Sequence, residues 1–203
     1  MKIRRYVHIL PGSVSVDGTP LAVGAAGTDL LAELYRCFVK DYPKFFKMDL
    51  LSKLGVVATE LLVMGEKDRF TPREDRAVLL FSRSGPLCND RNYNKTISED
   101  DFFPSPSLFV YTLANIVTGE IAIRNKYEGD TTAYELASFE PAPFVAAVHD
   151  AFEDRVTTSA VCGWAEAVDP AHFEAWLMLV EQDAAAGLDF TEETVAKLIA
   201  NQS

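Results

Sequence analysis

Ser138 is the residue of this chain whose surroundings best suit chemistry. The run at residues 131–136 is rich in threonine and tyrosine, which favours an extended strand. Pro141 and the alanine-rich run after it predict that a helix begins shortly after Ser138. Enzymes often present a nucleophile where a strand turns sharply into a helix. The spacing therefore makes Ser138 a candidate nucleophile.

The sequence around Ser138 lacks the partners that a nucleophilic serine needs. No G-x-S-x-G pattern surrounds it, and the three histidines, His8, His149 and His172, belong to no recognisable motif. His149 lies eleven residues further on, which is about 16 Å along a helix. Because serine is a preferred helix N-cap, we interpret Ser138 first as a cap and keep catalysis as the alternative.

The three cysteines, Cys37, Cys88 and Cys162, are odd in number and form no C-x-x-C spacing. This pattern argues against a disulfide framework and against a zinc site. We interpret them as buried or idle thiols, and we expect neither a metal nor another cofactor.

Composition limits the function classes that remain. The 203 residues are 48% hydrophobic and 24% charged, which is typical of one globular domain. No apolar run approaches the ~20 residues that span a bilayer, and no signal peptide is evident, so we expect a cytoplasmic protein. The net charge of -11 argues against nucleic-acid binding because a polyanion would be repelled.

Apolar periodicity predicts alternating strands and helices. Strands are predicted at residues 3–10, 76–81, 157–164 and 176–180. Helices are predicted around residues 30–38, 47–62, 106–124, 144–152, 182–188 and 191–201, and a loop at 89–103. The run RAVLLF at residues 76–81 is continuously apolar after its first residue, which suits a central strand buried on both faces.

The pattern P-S-x-F-x-x-T-L-x-N-x-x-x-G-x-I-A-I-x-x-x-x-x-G occupies residues 106–129. It resembles the N-terminal half of β-ketoacyl synthases, members of the thiolase-like superfamily. In those enzymes a buried strand and then the acyl-carrying cysteine follow the final glycine. The same interval counted from Gly129 ends at Ser138, so the resemblance implies that serine replaces the family nucleophile here.

Four other residues are expected to have structural roles, and for Gly163 the resemblance implies the role. Asn115 would stand in the middle of a helix with its side chain bonded to backbone or to a neighbouring subunit. Gly119 and Gly129 would serve close packing and a turn, Gly129 by ending the helix. Gly163 would stand in a glycine-rich turn that ends a strand and leads to Glu166.

The fold implied by the resemblance is an α/β, thiolase-like half: a mixed sheet of about five strands flanked by helices in a single domain. Residues 1–190 would form the synthase-like domain and residues 191–203 a C-terminal helical tail. In a full synthase a second half covers the helix at residues 51–62 and the helix after Ser138. Here we expect the C-terminal helix, a second copy or a synthase partner to cover them.

The function implied by the resemblance is that of a relative without condensing activity. A serine hydroxyl needs a partnered base, and the second half that assists condensation is missing. We expect a non-condensing accessory or partner subunit in fatty-acid, polyketide or aryl-polyene-type biosynthesis. The alternatives are an acyltransferase or thioesterase that uses Ser138, a condensing enzyme completed by another chain, and a non-catalytic binder of acyl-CoA or lipid.

Charge is unevenly spread, which bears on the choice of partner. Residues 36–53 hold five basic residues against Asp41 and Asp49, whereas residues 165–203 hold eight acidic residues and only Lys197. An acidic partner such as an acyl carrier protein would approach the basic segment. An ordinary solvated surface is the other interpretation. A ketosynthase subunit and a second copy of the chain are the other expected partners.

Overall fold

The computed structural model describes residues 1–98 and 103–200. The strands are β1 (Lys2–Leu10), β2 (Ser13–Val16), β3 (Thr19–Pro20), β4 (Arg76–Ser82), β5 (Thr131–Glu135), β6 (Ser159–Asp169), β7 (His172–Glu181) and β8 (Leu188–Asp189). The helices are α1 (Thr28–Leu34), α2 (Leu50–Leu62), α3 (Leu87–Asn94), α4 (Pro106–Val110), α5 (Ile116–Asn125), α6 (Pro141–Ala151) and α7 (Glu192–Ala200). A π-helical turn (Tyr35–Val39) continues α1, and a 3-10 turn (Pro43–Lys47) precedes α2.

The strands form one mixed sheet in the order β3-β2-β1-β7-β6-β4-β5, and β8 pairs with β1. β4 runs parallel to β5 and β6, whereas β7 runs antiparallel to both β1 and β6. The long strands are β1, β4, β5, β6 and β7, and helices cover both faces. The predicted α/β class, with a mixed sheet of about five strands flanked by helices, is confirmed.

β4 lies between two parallel neighbours, and all its residues are buried. Because successive side chains point to opposite faces of a sheet, the strand supplies both cores. Val78 and Leu80 join the cluster that packs under α2 and α5. Leu79 and Phe81 join the cluster that packs under α6. The predicted central strand is therefore correct.

α2 is buried within its own chain: all its residues except Leu50 and Lys53 are buried. The carboxylate of Asp49 caps its first turn by accepting hydrogen bonds from the amides of Ser52 and Leu51. Gly55 lets α5 approach closely. The sheet, α1 and α5 cover this helix, so the expectation that its face needs a cover from the C-terminal helix or another chain is wrong.

The other face of the sheet carries α6 and α7. Phe144 and Val148 of α6 are fully buried, and Val195 of α7 joins the same apolar cluster. The C-terminal helix is thus one cover of the helix that follows Ser138, as expected. The division into residues 1–190 and 191–203 remains a prediction, and residues 201–203 of the tail lie outside the described chain.

Three sequence-based predictions of local structure are wrong. The predicted loop at residues 89–103 begins with α3, and its residues 99–102 lie outside the described chain. The predicted helix at residues 106–124 is broken into α4 and α5, and at the break the buried Tyr111 donates a hydrogen bond to Glu120 (2.9 Å). The predicted helix at residues 182–188 is a turn and bend, where Gly187 has φ 135° and packs on the Ile3 carbonyl.

Candidate functional site

The carboxyl ends of the parallel strands β5, β4 and β6 meet at one edge of the sheet. Ligand sites in open α/β sheets lie outside this edge. Ser82 ends β4, Glu135 ends β5, and Ser138 lies in the loop between β5 and α6. Glu166 of β6 contacts the loop after β4 through Ser84. This edge is therefore the candidate functional site.

Ser138 is exposed in the loop before α6. Within residues 1–98 and 103–200 its side chain makes no hydrogen bond. The N-cap residue of α6 is Glu140, and Pro141 takes the first helical position. The interpretation of Ser138 as the helix N-cap is therefore wrong, and its hydroxyl is left facing solvent.

The three histidines contact residues other than Ser138. His8 pairs with Glu174 (Nε2 to Oε1, 2.7 Å), and His172 pairs with Asp169 (Nδ1 to Oδ1, 2.8 Å). The ring of His149 lies 5.7 Å from that of Phe190. None of them bonds to Ser138 in the described part of the chain, so the serine lacks the general base that nucleophilic attack requires.

A carboxylate fills the most anion-attracting part of the site. Glu166 accepts hydrogen bonds from the Ser82 hydroxyl (3.1 Å) and the Ser84 amide (3.3 Å). It also accepts from the Arg83 amide and the Ser84 hydroxyl. Such a concave set of donors can bind an anion or stabilise an oxyanion. Here Glu166 already occupies it, so these donors hold β6 against the loop after β4.

The cavity behind this edge is very small. It has a volume of about 10 Å³ and lies between Gly85, Ala114, Tyr134 and Glu135. A single water needs about 10–15 Å³. The cavity is therefore too small for an acyl chain as the side chains stand.

Asn115 is exposed immediately before α5 rather than inside a helix. Its side chain makes no cap hydrogen bond, while its backbone oxygen accepts from the Thr118 hydroxyl (2.9 Å). A Cβ added to Gly119 would meet no atom within 4 Å outside its helix. The mid-helix role predicted for Asn115 and the close-packing role predicted for Gly119 are therefore corrected.

Gly129 and Gly163 are required by close approach of neighbouring backbone. A Cβ on Gly129 would lie 2.6 Å from the Arg76 carbonyl oxygen, so no larger residue fits beside β4. The helix itself ends earlier, at Lys126, whose φ of 57° is left-handed. Gly163 lies within β6 against the backbone of β7, not in a turn. The turn roles predicted for Gly129 and Gly163 are therefore not the roles that the structure gives them. Both glycines are required because neighbouring backbone lies too close for a side chain.

The cysteines differ in exposure: Cys37 is exposed, Cys88 is half-buried and Cys162 is buried. All three are free thiols. Burial raises the pKa of the Cys88 and Cys162 thiols. Among residues 1–98 and 103–200 no group of three or more histidine, cysteine and acidic side chains could hold a metal ion.

A basic surface precedes α2. Arg36, Lys40 and Lys47 are exposed there, and Phe46 is 60% exposed between them in sequence. Lys44 pairs with the buried Glu120 (2.8 Å) and so is partly neutralised. Most of the predicted basic segment is therefore present as an exposed basic surface.

An exposed apolar surface surrounds α4. Its members are Phe103, Phe109, Val110 and Leu113, which are 84%, 52%, 47% and 51% exposed. Large apolar side chains grouped at a surface often mark a contact with another molecule. Leu113 follows the helical spacing of Ile116, Val117 and Ile121, which predicts a shared buried stripe, but its side chain is exposed. No helix in the described residues is long and apolar enough to cross a membrane.

Neither protein-family models nor curated proteins match this chain. Solved structures do match it. One is the ishigamide ketosynthase/chain length factor, with a TM-score of 0.60 and 20% identity, covering 91% of this chain and 63% of that chain. The chain has a ketosynthase-like fold.

Two further structures are similar. The complex of the ketosynthase ApeO with its chain length factor ApeC, from Xenorhabdus doucetiae, matches with a TM-score of 0.56 and 15% identity over 91% of this chain and 81% of that chain. AntDE:AntF, a type II polyketide synthase acyl carrier protein with its ketosynthase, matches with a TM-score of 0.57 and 12% identity over 90% of this chain and 64% of that chain. The chain thus spans 63% of the length of the first structure that it matches.

Proposed function

We propose that this chain is a non-condensing partner subunit that acts beside a ketosynthase in fatty-acid, polyketide or aryl-polyene-type biosynthesis in the cytoplasm. The observation that carries the proposal is Ser138, which stands exposed at the corner before α6 without a hydrogen-bonded base. A chain with this fold and an unactivated hydroxyl before α6 can still bind other proteins through its surface. It cannot carry out condensation, because the hydroxyl is not activated as a nucleophile.

The electrostatics of the corner support this proposal. Glu140 stands at the N-cap of α6, so its carboxylate lies at the positive end of the helix. A negative charge there opposes the negative charge that develops during acyl transfer. Glu166 fills the nearby group of donors after β4. Both carboxylates disfavour an oxyanion at this edge.

Two surfaces support a role in binding other proteins. The apolar surface around α4 suits a ketosynthase subunit, because burying Phe109 and Leu113 would remove apolar area from water. The basic surface with Arg36, Lys40 and Lys47 suits an acidic carrier protein. Among the similar structures, one holds a ketosynthase with its chain length factor and another a carrier protein with its ketosynthase.

Acyl transfer or thioester hydrolysis by Ser138 is the second candidate function. The exposure of Ser138 favours it, because a thioester could reach the hydroxyl. Intact-protein mass after incubation with acyl carrier protein or CoA thioesters separates the two candidates. We expect no acyl adduct on either the native chain or Ser138→Ala. An adduct that disappears in Ser138→Ala would overturn the proposal and favour the acyltransferase.

The partner role is tested by mixing the chain with a purified ketosynthase from the same organism and measuring mass by light scattering. We expect a complex that Leu113→Asp weakens at least about tenfold, because the new charge is desolvated in the interface. The matched control is Ile123→Asp, which alters an exposed apolar residue on α5. A chain that stays monomeric beside the ketosynthase would count against the partner role, and a stable homodimer would name a second copy as the partner.

A further inference from the structure

A separate cavity of about 300 Å³ opens between α1, the start of α2, α3 and α4. The lining includes Leu31, Lys47, Met48, Lys53, Cys88 and Leu108. None of these residues belongs to the edge with Ser138. The volume lies at the lower end of the range for small-molecule sites, which suits a ligand of about ten non-hydrogen atoms.

Apolar side chains form the inner part of this cavity. Leu31 and Met48 are almost completely buried, at 1% and 3% exposure, and Leu108 is half-buried on α4. Tyr111 presents its ring there while its hydroxyl is held by Glu120 (2.9 Å). Because Leu31 and Met48 are already buried, the hydrophobic gain on binding would come mainly from removing the ligand's own apolar body from water.

The charged groups at the cavity differ in the hydrogen bonds and ion pairs that they already make. Both carboxylate oxygens of Asp49 already accept amide hydrogen bonds from α2, at 3.1 and 3.3 Å. Lys53, half-buried on α2, makes no hydrogen bond or ion pair within residues 1–98 and 103–200. Lys47 is exposed at the same cavity and likewise has no ion pair in the described chain. Burial lowers the pKa of the Lys53 ammonium, although the Asp49 charge opposes this shift.

We propose that this cavity binds a small organic anion with an apolar body, of the medium-chain carboxylic acid class. The carboxylate pairs with Lys53 and Lys47 at the α2 end, and the alkyl chain lies against Leu31, Met48 and Leu108. The Lys53 ammonium feels the Asp49 charge but makes no hydrogen bond or ion pair in the described residues. It therefore gains from such a ligand, because pairing a charge inside a partly desolvated site is worth more than pairing it in water. This inference is independent of the proposed partner role.

Cys88 provides a reporter inside the cavity. Its thiol would be alkylated by iodoacetamide, and a ligand that fills the cavity would block access to it. Cys37 is exposed elsewhere and serves as an internal control in the same sample. With octanoate as the probe, we expect alkylation of Cys88 to slow about tenfold when nine sites in ten are filled, while alkylation of Cys37 is unchanged.

Two comparisons test whether the carboxylate is recognised. 1-Octanol has the same chain without the charge, and we expect it to protect Cys88 about tenfold less well than octanoate. Lys53→Met should raise about tenfold the octanoate concentration that gives half-maximal protection of Cys88. Lys67 is an exposed lysine outside this cavity, so Lys67→Met should leave that concentration unchanged. Lys47→Met is the second variant if Lys53→Met fails to fold.

Unchanged Cys88 alkylation at millimolar octanoate would overturn the proposal, because a filled cavity must hide this thiol. Equal protection by octanol and octanoate would overturn the assignment of an anion. The assignment would also fail if neither lysine variant changed the octanoate concentration that gives half-maximal protection. Slowing of Cys37 and Cys88 together would mean a general effect of the probe on the protein and would count against a site.

Discussion

Gly163 on β6 lies directly against Trp176 on β7: a Cβ added to Gly163 would overlap the backbone carbonyl oxygen of Trp176. The φ of Gly163 is 154°, a backbone angle that residues with a side chain rarely adopt. The two strands form the longest pairing of the sheet, so any displacement there is felt by both cores. Glycine is required at this position by contact with backbone.

Gly163→Ala is therefore expected to lower the free energy of unfolding by about 3 kcal/mol or more, since neither strand can move away without breaking the sheet. Urea denaturation followed by circular dichroism measures this loss. A change below about 1 kcal/mol would contradict the overlap, because strain of this kind cannot be relieved by a side-chain rotation.

Gly119→Ala should have the opposite sign. Gly119 lies inside α5, and a Cβ there would meet open space. Replacing an unconstrained helical glycine by alanine stabilises by about 0.5–1 kcal/mol, because it restricts the unfolded chain. The same urea experiment measures the gain, with Gly163→Ala as the contrasting variant. A loss of stability would mean that the space beside Gly119 is needed by the folded chain.

The sheet could be predicted from sequence because its signals are local. The continuous apolar run of β4 indicates a strand buried on both faces, and that is where β4 lies. The break between α4 and α5 could not be predicted in this way. The break accompanies a hydrogen bond between Tyr111 and Glu120, and apolar spacing carries no information about a buried polar contact.

The candidate site was harder to predict, for two different reasons. The N-cap of α6 had a usable signal: proline prefers the first helical position, so Pro141 points to Glu140 as the cap rather than to Ser138. The role of Glu166 had none. Its donors, Ser82 and Ser84, are more than eighty residues away in sequence, and only the pairing of β4 with β6 brings them together.

Glu60 holds two arginines inside the fold. Its carboxylate is 2% exposed and pairs with Arg69 (2.9 Å) and Arg124 (3.0 Å). Arg124 also donates to the Val39 carbonyl (3.1 Å), so the group joins α2, α5 and the segment after α1. Glu60→Gln should cost about 2–3 kcal/mol of unfolding free energy, because both guanidinium groups lose their counter-charge in a largely buried place.

Glu193→Gln is the matched control for Glu60→Gln. Glu193 pairs with Lys197 on α7, where both side chains are largely exposed. Removing a surface ion pair usually changes stability by less than about 1 kcal/mol. Urea denaturation of both variants should give clearly different losses. Equal losses would mean that burial adds nothing to the Glu60 pairs.

Asp75 should make the stability of the fold depend on pH. Hydrogen bonds from the Arg73 guanidinium, at 3.0 and 2.9 Å, are the main cause that lowers the pKa of Asp75 from 3.8 to about 2. A folded-state pKa below the unfolded value gives stability that is present above pH 4 and lost as the pH falls through 2. After allowance for solvent screening this contribution is about 1 kcal/mol.

Asp75→Asn should therefore be less stable than the native chain at pH 7 by about 1 kcal/mol, and the gap should shrink as the pH falls from 4 towards 2. Protonation of Asp75 in the native chain removes the same charge that the substitution removes, which is why the two converge. Urea denaturation at pH 7 and at pH 3 measures the gap.

The control, Asp183→Asn, alters an exposed carboxylate that makes no ion pair within the described residues, and it should show little gap at either pH. A gap for Asp75→Asn that is equally large at both pH values would mean that the ionised carboxylate is not what stabilises the start of β4.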